Sequence, residues 1–268
     1  MSRRTRVDVE LVRRGLARSR QQAAELIGAG RVSIDGIPAA KAATAVAVTA
    51  NLTITGADRN WVSRGAHKLI GALDAFQILV EDRRCLDAGA STGGFTEVLL
   101  DRGATRVAAV DVGYGQLAWS LRTDSRVSVV ERTNVRDLTA DDIGGPVELV
   151  VADLSFISLT TVLPALIACA SPDADIVPMV KPQFEVGREQ VGAGGVVQDP
   201  ALRAAAVLAV AQHAEQLGWR TAGVAASPLP GPSGNVEYFL HLCAAPERPL
   251  TGDALQRAVD DAVAGGPQ

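Results

Sequence analysis

An open α/β fold with a mostly parallel sheet, preceded by a small α+β module, is predicted by three features of this 268-residue sequence. From residue 83 onward, short apolar runs alternate with helical stretches. A glycine-rich turn joins the first of those runs to a helix. The charge is also divided: residues 1–68 carry 12 Lys and Arg against 5 Asp and Glu, and the remainder carries 14 against 25. The net charge of −4 therefore conceals a basic N-terminal part, suited to a polyanion, on an acidic body.

A chain that is 47% hydrophobic and 21% charged has room for one large domain and a small one. No run approaches the ~18–20 apolar residues of a membrane span; the best candidate, Leu159 to Ala170, is short and interrupted by Pro164. The basic N-terminus has no apolar signal-peptide core behind it. Cys85, Cys169 and Cys243 are odd in number, far apart and in no C-x-x-C pairing. They imply buried thiols in a reducing cytoplasm, with no metal and no disulfide framework.

In the basic part, Val7 to Leu16 reads as a short helix. Ser19 is placed as an N-cap, with Gln22 at the capping-box position, for a helix Arg20–Ala29 that Gly30 closes. Arg31–Ile37 reads as a strand with an Asp35-Gly36 turn, and Asn51–Thr55 as the returning strand. The domains expected are 1–58 and 64–268, joined by a connection at 59–63 (Arg59-Asn-Trp-Val-Ser63). Ser63 is expected to cap a helix running to Phe76, with Leu69, Ile70, Leu73 and Phe76 on its buried face.

In the body, strands are expected near 84–87, 106–111, 127–131, 147–152, 175–180, 219–225 and 236–242. Helices lie between them, notably Gly93–Arg102, Ser158–Ala170 and Pro200–Leu217. This alternation implies parallel strands covered on both faces. Gly231-Pro-Ser-Gly234 turns the chain into its last strand, and the polar tail after Pro246 is expected to be partly loose.

The turn Asp87-Ala-Gly-Ala-Ser-Thr-Gly-Gly-Phe95 is how such a sheet builds a cradle for a nucleotide-like cofactor. Glycines let the backbone approach a ligand, and the first helical turn offers free N–H groups. Asp111, closing the next apolar run, would hold ribose hydroxyls. The G-x-G-x-x-G spacing of dinucleotide binders is absent, because Ala90, Ser91 and Thr92 separate Gly89 from Gly93. With Asp87 in front, the turn resembles the loop of S-adenosylmethionine (SAM) methyltransferases. That resemblance implies a Rossmann-like fold with a seven-stranded, mostly parallel sheet, its last strand antiparallel. It implies cofactor contacts from Asp87, Gly89, Ala90, Ser91, Gly93, Gly94, Phe95, Asp111 and Asp153. Asn134 is placed either to meet the adenine or to serve a turn, and Phe156 either to pack by the cofactor or to fill the core.

Only Lys41, Lys68 and Lys181 are lysines, so 23 of the 26 basic residues are arginine. Lysine can lose its proton where arginine cannot. Lys181 follows the strand ending at Val180, and Asp153 follows the strand ending at Ala152. Ligands of open α/β sheets bind at such strand ends. Lys68, Asp153, Lys181 and Glu237, in that order, resemble the K-D-K-E tetrad of ribose 2′-O-methyltransferases.

The string Gly15-Leu-Ala-Arg-Ser-Arg20, with Ala23, Leu26-Ile27, Gly30-Arg-Val and Asp35-Gly36, resembles the alpha-L RNA-binding motif of a ribosomal protein and some pseudouridine synthases. It implies that Arg18 and Arg20, with Arg4 and Arg6, meet RNA phosphates. Module and tetrad together narrow the resemblance to the TlyA family, whose members also carry the name haemolysin. The strings Asp153-Leu-Ser-Phe-Ile157, Lys181-Pro-Gln-Phe-Glu185 and Gly234-Asn-Val-Glu-Tyr238 extend it over essentially the whole chain. Membership implies methyl transfer from SAM to the 2′-hydroxyl of cytidine in 16S and/or 23S rRNA, with 30S and/or 50S subunits as partners.

In that chemistry a neutral lysine takes the hydroxyl proton. Free lysine titrates near ~10.4; burial and a cationic neighbour lower that value, whereas a carboxylate raises it. The expected roles are Lys181 as general base, with Lys68, Asp153 and Glu237 holding it and the ribose. Residues Gly187 to Gly195 are expected to form a mobile lid. His67, His213 and His241 read as isolated packing or surface residues. Two other classes remain open at this point, a non-catalytic RNA-binding or ribosome-assembly factor and a membrane-active haemolysin. The second needs a spanning helix or a strongly amphipathic one, and the sequence offers neither.

Overall fold

The computed structural model describes residues 4–17, 19–54 and 61–267. The chain forms two compact units, Met1–Trp61 and Val62–Gln268. The first contains β1 (Arg4–Arg6), α1 (Val7–Arg13), α2 (Arg20–Gly28), β2 (Val32–Ile34), β3 (Ile37–Pro38), β4 (Ala45–Ala47) and β5 (Leu52–Ile54). Strands β3-β2-β5 form one antiparallel sheet, and β1 pairs with β4. Ser19 caps α2, its side chain accepting from Gln22 N at 3.2 Å. Asp35 and Gly36 both take positive φ, 50° and 84°, the conformation that a two-residue hairpin turn demands. Helix α1 ends at Arg13, before the expected Leu16: Gly15 turns left-handed and Leu16 N–H donates back to the Leu11 carbonyl at 2.8 Å. The short pair β1 and β4 has too few residues to show alternation and is not legible in the sequence.

Val7, Leu11, Ala23, Ile27, Val32, Val46 and Leu52 make this unit's core. Two acids are buried with it. Asp8 is 3% exposed and accepts from Arg6 (3.0 Å twice) and from Arg20 (3.2 and 3.1 Å). Glu10 is fully buried against Arg13 and Arg14. Hydrogen bonds from Arg6 hold the Asp8 carboxyl at about 2, and those from Arg13 do the same for Glu10. Arg6 and Arg20, expected to serve RNA alone, therefore also bind the fold together. Arg18 lies outside the described residues.

The second unit contains α3 (Gly65–Phe76), β6 (Arg84–Ala88), α4 (Gly94–Asp101), β7 (Arg106–Asp111), α5 (Trp119–Arg122), β8 (Val127–Glu131), β9 (Val147–Ala152), α6 (Leu159–Ala168), β10 (Ala170–Val180), α7 (Pro182–Glu185), α8 (Pro200–Gln216), β11 (Arg220–Ala226), β12 (Tyr238–Cys243) and α9 (Gly252–Gly265). Its seven-stranded sheet runs β11-β12-β10-β9-β6-β7-β8. All pairings are parallel except those of β12, which is antiparallel to both neighbours. Cys85, Leu86, Asp87 and Ala88 are all fully buried, so both faces of the central strand are covered. Leu86, Val110, Val150, Ile176 and Leu240 meet Leu163, Leu166 and Val210 in the main core.

Two expectations are corrected here. Arg64, not Ser63, occupies the cap position of α3, and it makes no side-chain cap bond; Ile70 and Phe76 are only partly buried. The tail after Pro246, expected to be partly loose, forms α9, which packs on α8 and β11 through Leu255 and Val259. Its two anchors are four residues apart, one helical turn, in an otherwise polar segment. Leu255→Ala should lower unfolding stability by about 2–3 kcal/mol in denaturant titration, since it empties a closed site. Gln256→Ala, on the exposed side of the same helix, should change it by less than ~0.5 kcal/mol.

Candidate active site

The site lies at the C-terminal ends of the parallel strands. Beyond β6 the chain bends sharply, with Gly89 N and Ala90 N donating to the Val110 carbonyl at 2.8 and 3.1 Å. Gly89 takes φ 89°, and a Cβ there would stand 2.4 Å from the Asp153 carbonyl oxygen. Only glycine allows this approach. Gly94 opens α4 under similar pressure, since a Cβ on it would meet Ser63 Oγ at 2.1 Å. Asp111 holds the loop from the next strand, its two oxygens accepting from Ser91 N (2.8 Å) and Gly113 N (2.7 Å).

Two adjoining cavities, of about 340 and 500 Å³, open around this loop and share Gly89, Ser91, Asp153 and Ser155. The smaller also takes Ala90, Gly94 and Phe95, together with all four tetrad residues. The larger takes Asp111, Asn134 and Phe156. Asn134 serves the turn, accepting from Arg136 N at 3.0 Å, and its side chain also lines the larger cavity. Phe156 is no core residue. It is 91% exposed, at φ 64°, with its ring centroid 5.2 Å from that of Phe184.

Asp87 and Gly93 line neither cavity, contrary to expectation. Asp87 is fully buried beneath the loop; one carboxyl oxygen accepts from Thr96 Oγ1 at 2.6 Å, and the other has no hydrogen-bond partner among the described residues. Burial pushes this carboxyl up to about 7, beyond what the Thr96 hydrogen bond offsets, and the Asp153 charge adds to the rise.

The tetrad residues come together as two ion pairs. Lys68 Nζ, in the first turn of α3, donates to Glu237 Oε2 at 2.5 Å. Lys181 Nζ donates to Asp153 Oδ1 at 2.6 Å and to Ser155 Oγ at 3.0 Å. Sheet register explains the meeting. On one side of β10, Pro178 faces Ala152; on the other, Val180 faces Tyr238. Lys181 therefore leaves the sheet between Asp153 and Glu237. It is paired with a carboxylate rather than set against Lys68.

Ser155, inside the Asp153–Ile157 string, lines both cavities, and Asn235, inside the Gly234–Tyr238 string, supports the site from behind; the motifs assign neither a role of its own. Asn235 accepts from Val197 N at 3.0 Å and donates to the Gly195 carbonyl at 2.8 Å. It thereby fastens the end of the 187–195 segment, expected as a lid, two residues from Glu237. His241, expected to be isolated, instead lies 2.6 Å from Asp175. An Asn two residues before a Glu carries no signal until the fold closes that loop.

Comparison with known proteins sets this site in context. Residues 61–243 match the FtsJ-like methyltransferase family and residues 5–51 the S4 domain. The chain is 71% identical over 268 residues, all of both chains, to the 16S/23S rRNA (cytidine-2′-O)-methyltransferase TlyA of Mycobacterium tuberculosis. The chain belongs to the TlyA family of FtsJ-like methyltransferases. Hemolysin A of Brachyspira hyodysenteriae is another relative, 35% identical over 88% of this chain and 98% of its own. A solved structure from Streptococcus thermophilus, also named for hemolysin, has a TM-score of 0.72 at 37% identity, covering 98% of this chain and 96% of that one. Among the described residues of this TlyA-family chain, no helix is long and apolar enough to cross a membrane.

The buried Asp87 gives the family fold a pH dependence of known sign. Folded, the carboxyl keeps its proton up to about pH 7; unfolded, it releases it near ~3.9. The folded state thus holds the extra proton, and this contribution to stability falls as pH rises from about 4 to 7. Asp87→Asn should remove that slope and be the more stable protein at pH 8, by up to about 4 kcal/mol. Unfolding curves of the two proteins that run parallel from pH 5 to pH 8 would contradict the assignment.

Proposed function

We propose that this protein transfers a methyl group from SAM to the ribose 2′-hydroxyl of cytidine in 16S and/or 23S rRNA, acting on 30S and/or 50S subunits in the cytoplasm. The observation that carries the reading is the convergence of Lys68, Asp153, Lys181 and Glu237 on one cavity beside a glycine cradle. The activity for which the M. tuberculosis relative is named, at 71% identity along the whole chain, supports the same reaction.

The residues present fit SAM. The backbone at Gly89 is laid against the exit of β9, the neighbouring cavity is lined by Asp111, Asn134 and Phe156, and a buried acid stands behind the loop. Bound there, SAM supplies an electrophilic methyl on a cationic sulfur. Gly89, Ala90, Ser91, Gly94 and Phe95 hold the cofactor from the loop side, and Asp111 and Asn134 from the nucleoside side. Asp87 and Gly93 shape the loop from behind. Asp87 does this through Thr96, and Gly93 through a left-handed turn whose N–H donates to the Ala90 carbonyl at 2.7 Å.

The ribose hydroxyl is a weak nucleophile until its proton has somewhere to go. Lys181 accepts it in its neutral form, reached by releasing the ammonium proton to solvent through the open cavity, with Asp153 and Ser155 fixing the amine at the cavity wall. The Lys68–Glu237 pair presents polar atoms to the ribose from the opposite wall. A target base within a helix has to be turned out of its stack for its ribose to reach Lys181. The S4 unit binds rRNA through Arg4, Arg6, Arg18 and Arg20.

Labelled methyl transferred from SAM to purified, unmodified 30S and 50S subunits should appear on a ribose 2′-oxygen. Lys181→Ala should lower the rate ~10²–10⁴-fold while SAM still binds; near-normal turnover would remove Lys181 from the base role. Label on neither subunit, with folded protein and bound SAM, would favour a ribosome-assembly factor. Changing Arg18 and Arg20 together to Ala should weaken RNA binding and flatten its salt dependence by about two counterions at most. Affinity and slope equal to wild type would count against the S4 unit as the RNA-gripping part.

A further inference from the structure

Along the same two strands that Lys181 follows and Glu237 precedes, three metal-ligating side chains converge away from the tetrad: Asp175, midway along β10, and His241 and Cys243 on β12. Their donor atoms face one another: His241 Nε2 to Asp175 Oδ1 is 2.6 Å, Cys243 Sγ to His241 Nε2 is 3.2 Å, and Cys243 Sγ to Asp175 Oδ1 is 3.4 Å. We infer that this cluster is a binding site for one zinc-like divalent cation, separate from the methyl-transfer site.

Topology sets the convergence. His241 and Cys243 are two apart on one strand, so they share a face, and Asp175 is the cross-strand partner of Cys243. Bonds of ~2.0–2.3 Å at tetrahedral angles place ligands roughly 3.3–3.6 Å apart. Both sulfur separations are close to that range already, and the His–Asp contact has to open by less than ~1 Å.

Two further side chains hold these ligands in place. Arg83 holds the other oxygen of Asp175 at 2.5 Å, leaving Oδ1 turned to the cluster. The Phe76 ring stacks on His241 at 5.4 Å and fixes the imidazole plane. Such partners orient metal ligands. A thiolate and a carboxylate neutralise a divalent charge, and the neutral imidazole adds a third bond. Partial exposure of Asp175 and His241, 17% and 15% at the side chain, gives an entry path and a fourth position for water. On binding, the Cys243 sulfur–hydrogen bond breaks and its proton leaves to solvent; the proton shared by His241 Nε2 and Asp175 Oδ1 is also given up to solvent, the neutral ring keeping its N–H at Nδ1, so that sulfur, nitrogen and oxygen are each free to bond the metal. Lys181 lies six strand residues away, roughly 20 Å. The ion would therefore clamp β10 to β12 rather than take part in methyl transfer.

The test is titration of the untagged full-length protein with Co²⁺, followed by absorption. One equivalent should raise a near-ultraviolet thiolate-to-cobalt band and the visible bands of a tetrahedral ion. Both should be lost in Cys243→Ser, and Zn²⁺ should bleach them. Cys85 and Cys169 are fully buried, so they cannot supply that thiolate. Zn²⁺ should raise the melting temperature of the wild type by several degrees and leave Cys243→Ser unmoved. His241→Ala is a second variant, which keeps the thiol and should also lose the bands. No thiolate band at excess Co²⁺, or a band that persists in Cys243→Ser, would overturn the site.

Discussion

The structure depends on two largely buried ion pairs at the ends of its interior strands, where β9, β10 and β12 meet. The side chains of Lys68 and Glu237 are 10% and 2% exposed; those of Lys181 and Asp153 are 9% and 25%. Removing charges from water is costly, and a buried pair repays that cost only with close geometry. Losing one partner leaves the other buried and uncompensated, a penalty of about 3–5 kcal/mol. The sheet order answers this demand. Inserting β12 antiparallel beside β10 delivers Glu237 where Lys68 arrives from α3, and the exit of β9 delivers Asp153 to Lys181. The polar wall of the cavity is thus made of groups that the fold already has to pair.

The glycine loop meets a different demand, which is closeness. Gly89 and Gly94 sit where any side chain would collide with the Asp153 backbone or with Ser63. The same approach that forbids a Cβ brings the loop, the β9 exit and the start of α3 around one space. Asp87 is the cost of the arrangement: a carboxyl sealed beneath the loop, holding Thr96 with one oxygen and leaving the other without a partner among the described residues.

In the S4 unit, charge does two jobs. Arg6 and Arg20 converge on the buried Asp8, and Arg13 and Arg14 on the buried Glu10. Arg6, Arg13 and Arg20 nevertheless keep 48%, 57% and 61% of their side chains exposed. A guanidinium has five donors, so it can hold a carboxylate with one edge and still present N–H groups outward. Pairing restricts the rotamers of these long side chains before any polyanion arrives.

The sequence by itself determined the sheet strands, the Ser19 cap, the Asp35-Gly36 hairpin and the tetrad residues. The first three are local signals, in apolar runs, cap chemistry and positive-φ residues, whereas the tetrad came from the resemblance to ribose 2′-O-methyltransferases. What it could not fix depends on register and burial. The pairing of Lys181 with Asp153, the retreat of Asp87 beneath its loop, the solvent exposure of Phe156 and the role of Asn235 follow from neighbours far along the chain. So does the cluster of Asp175, His241 and Cys243, whose members lie 66 and 68 residues apart and meet only because β10 and β12 run antiparallel. Short-range chemistry chose the elements. Long-range strand pairing, which no local pattern encodes, decided which charges had to find each other out of water.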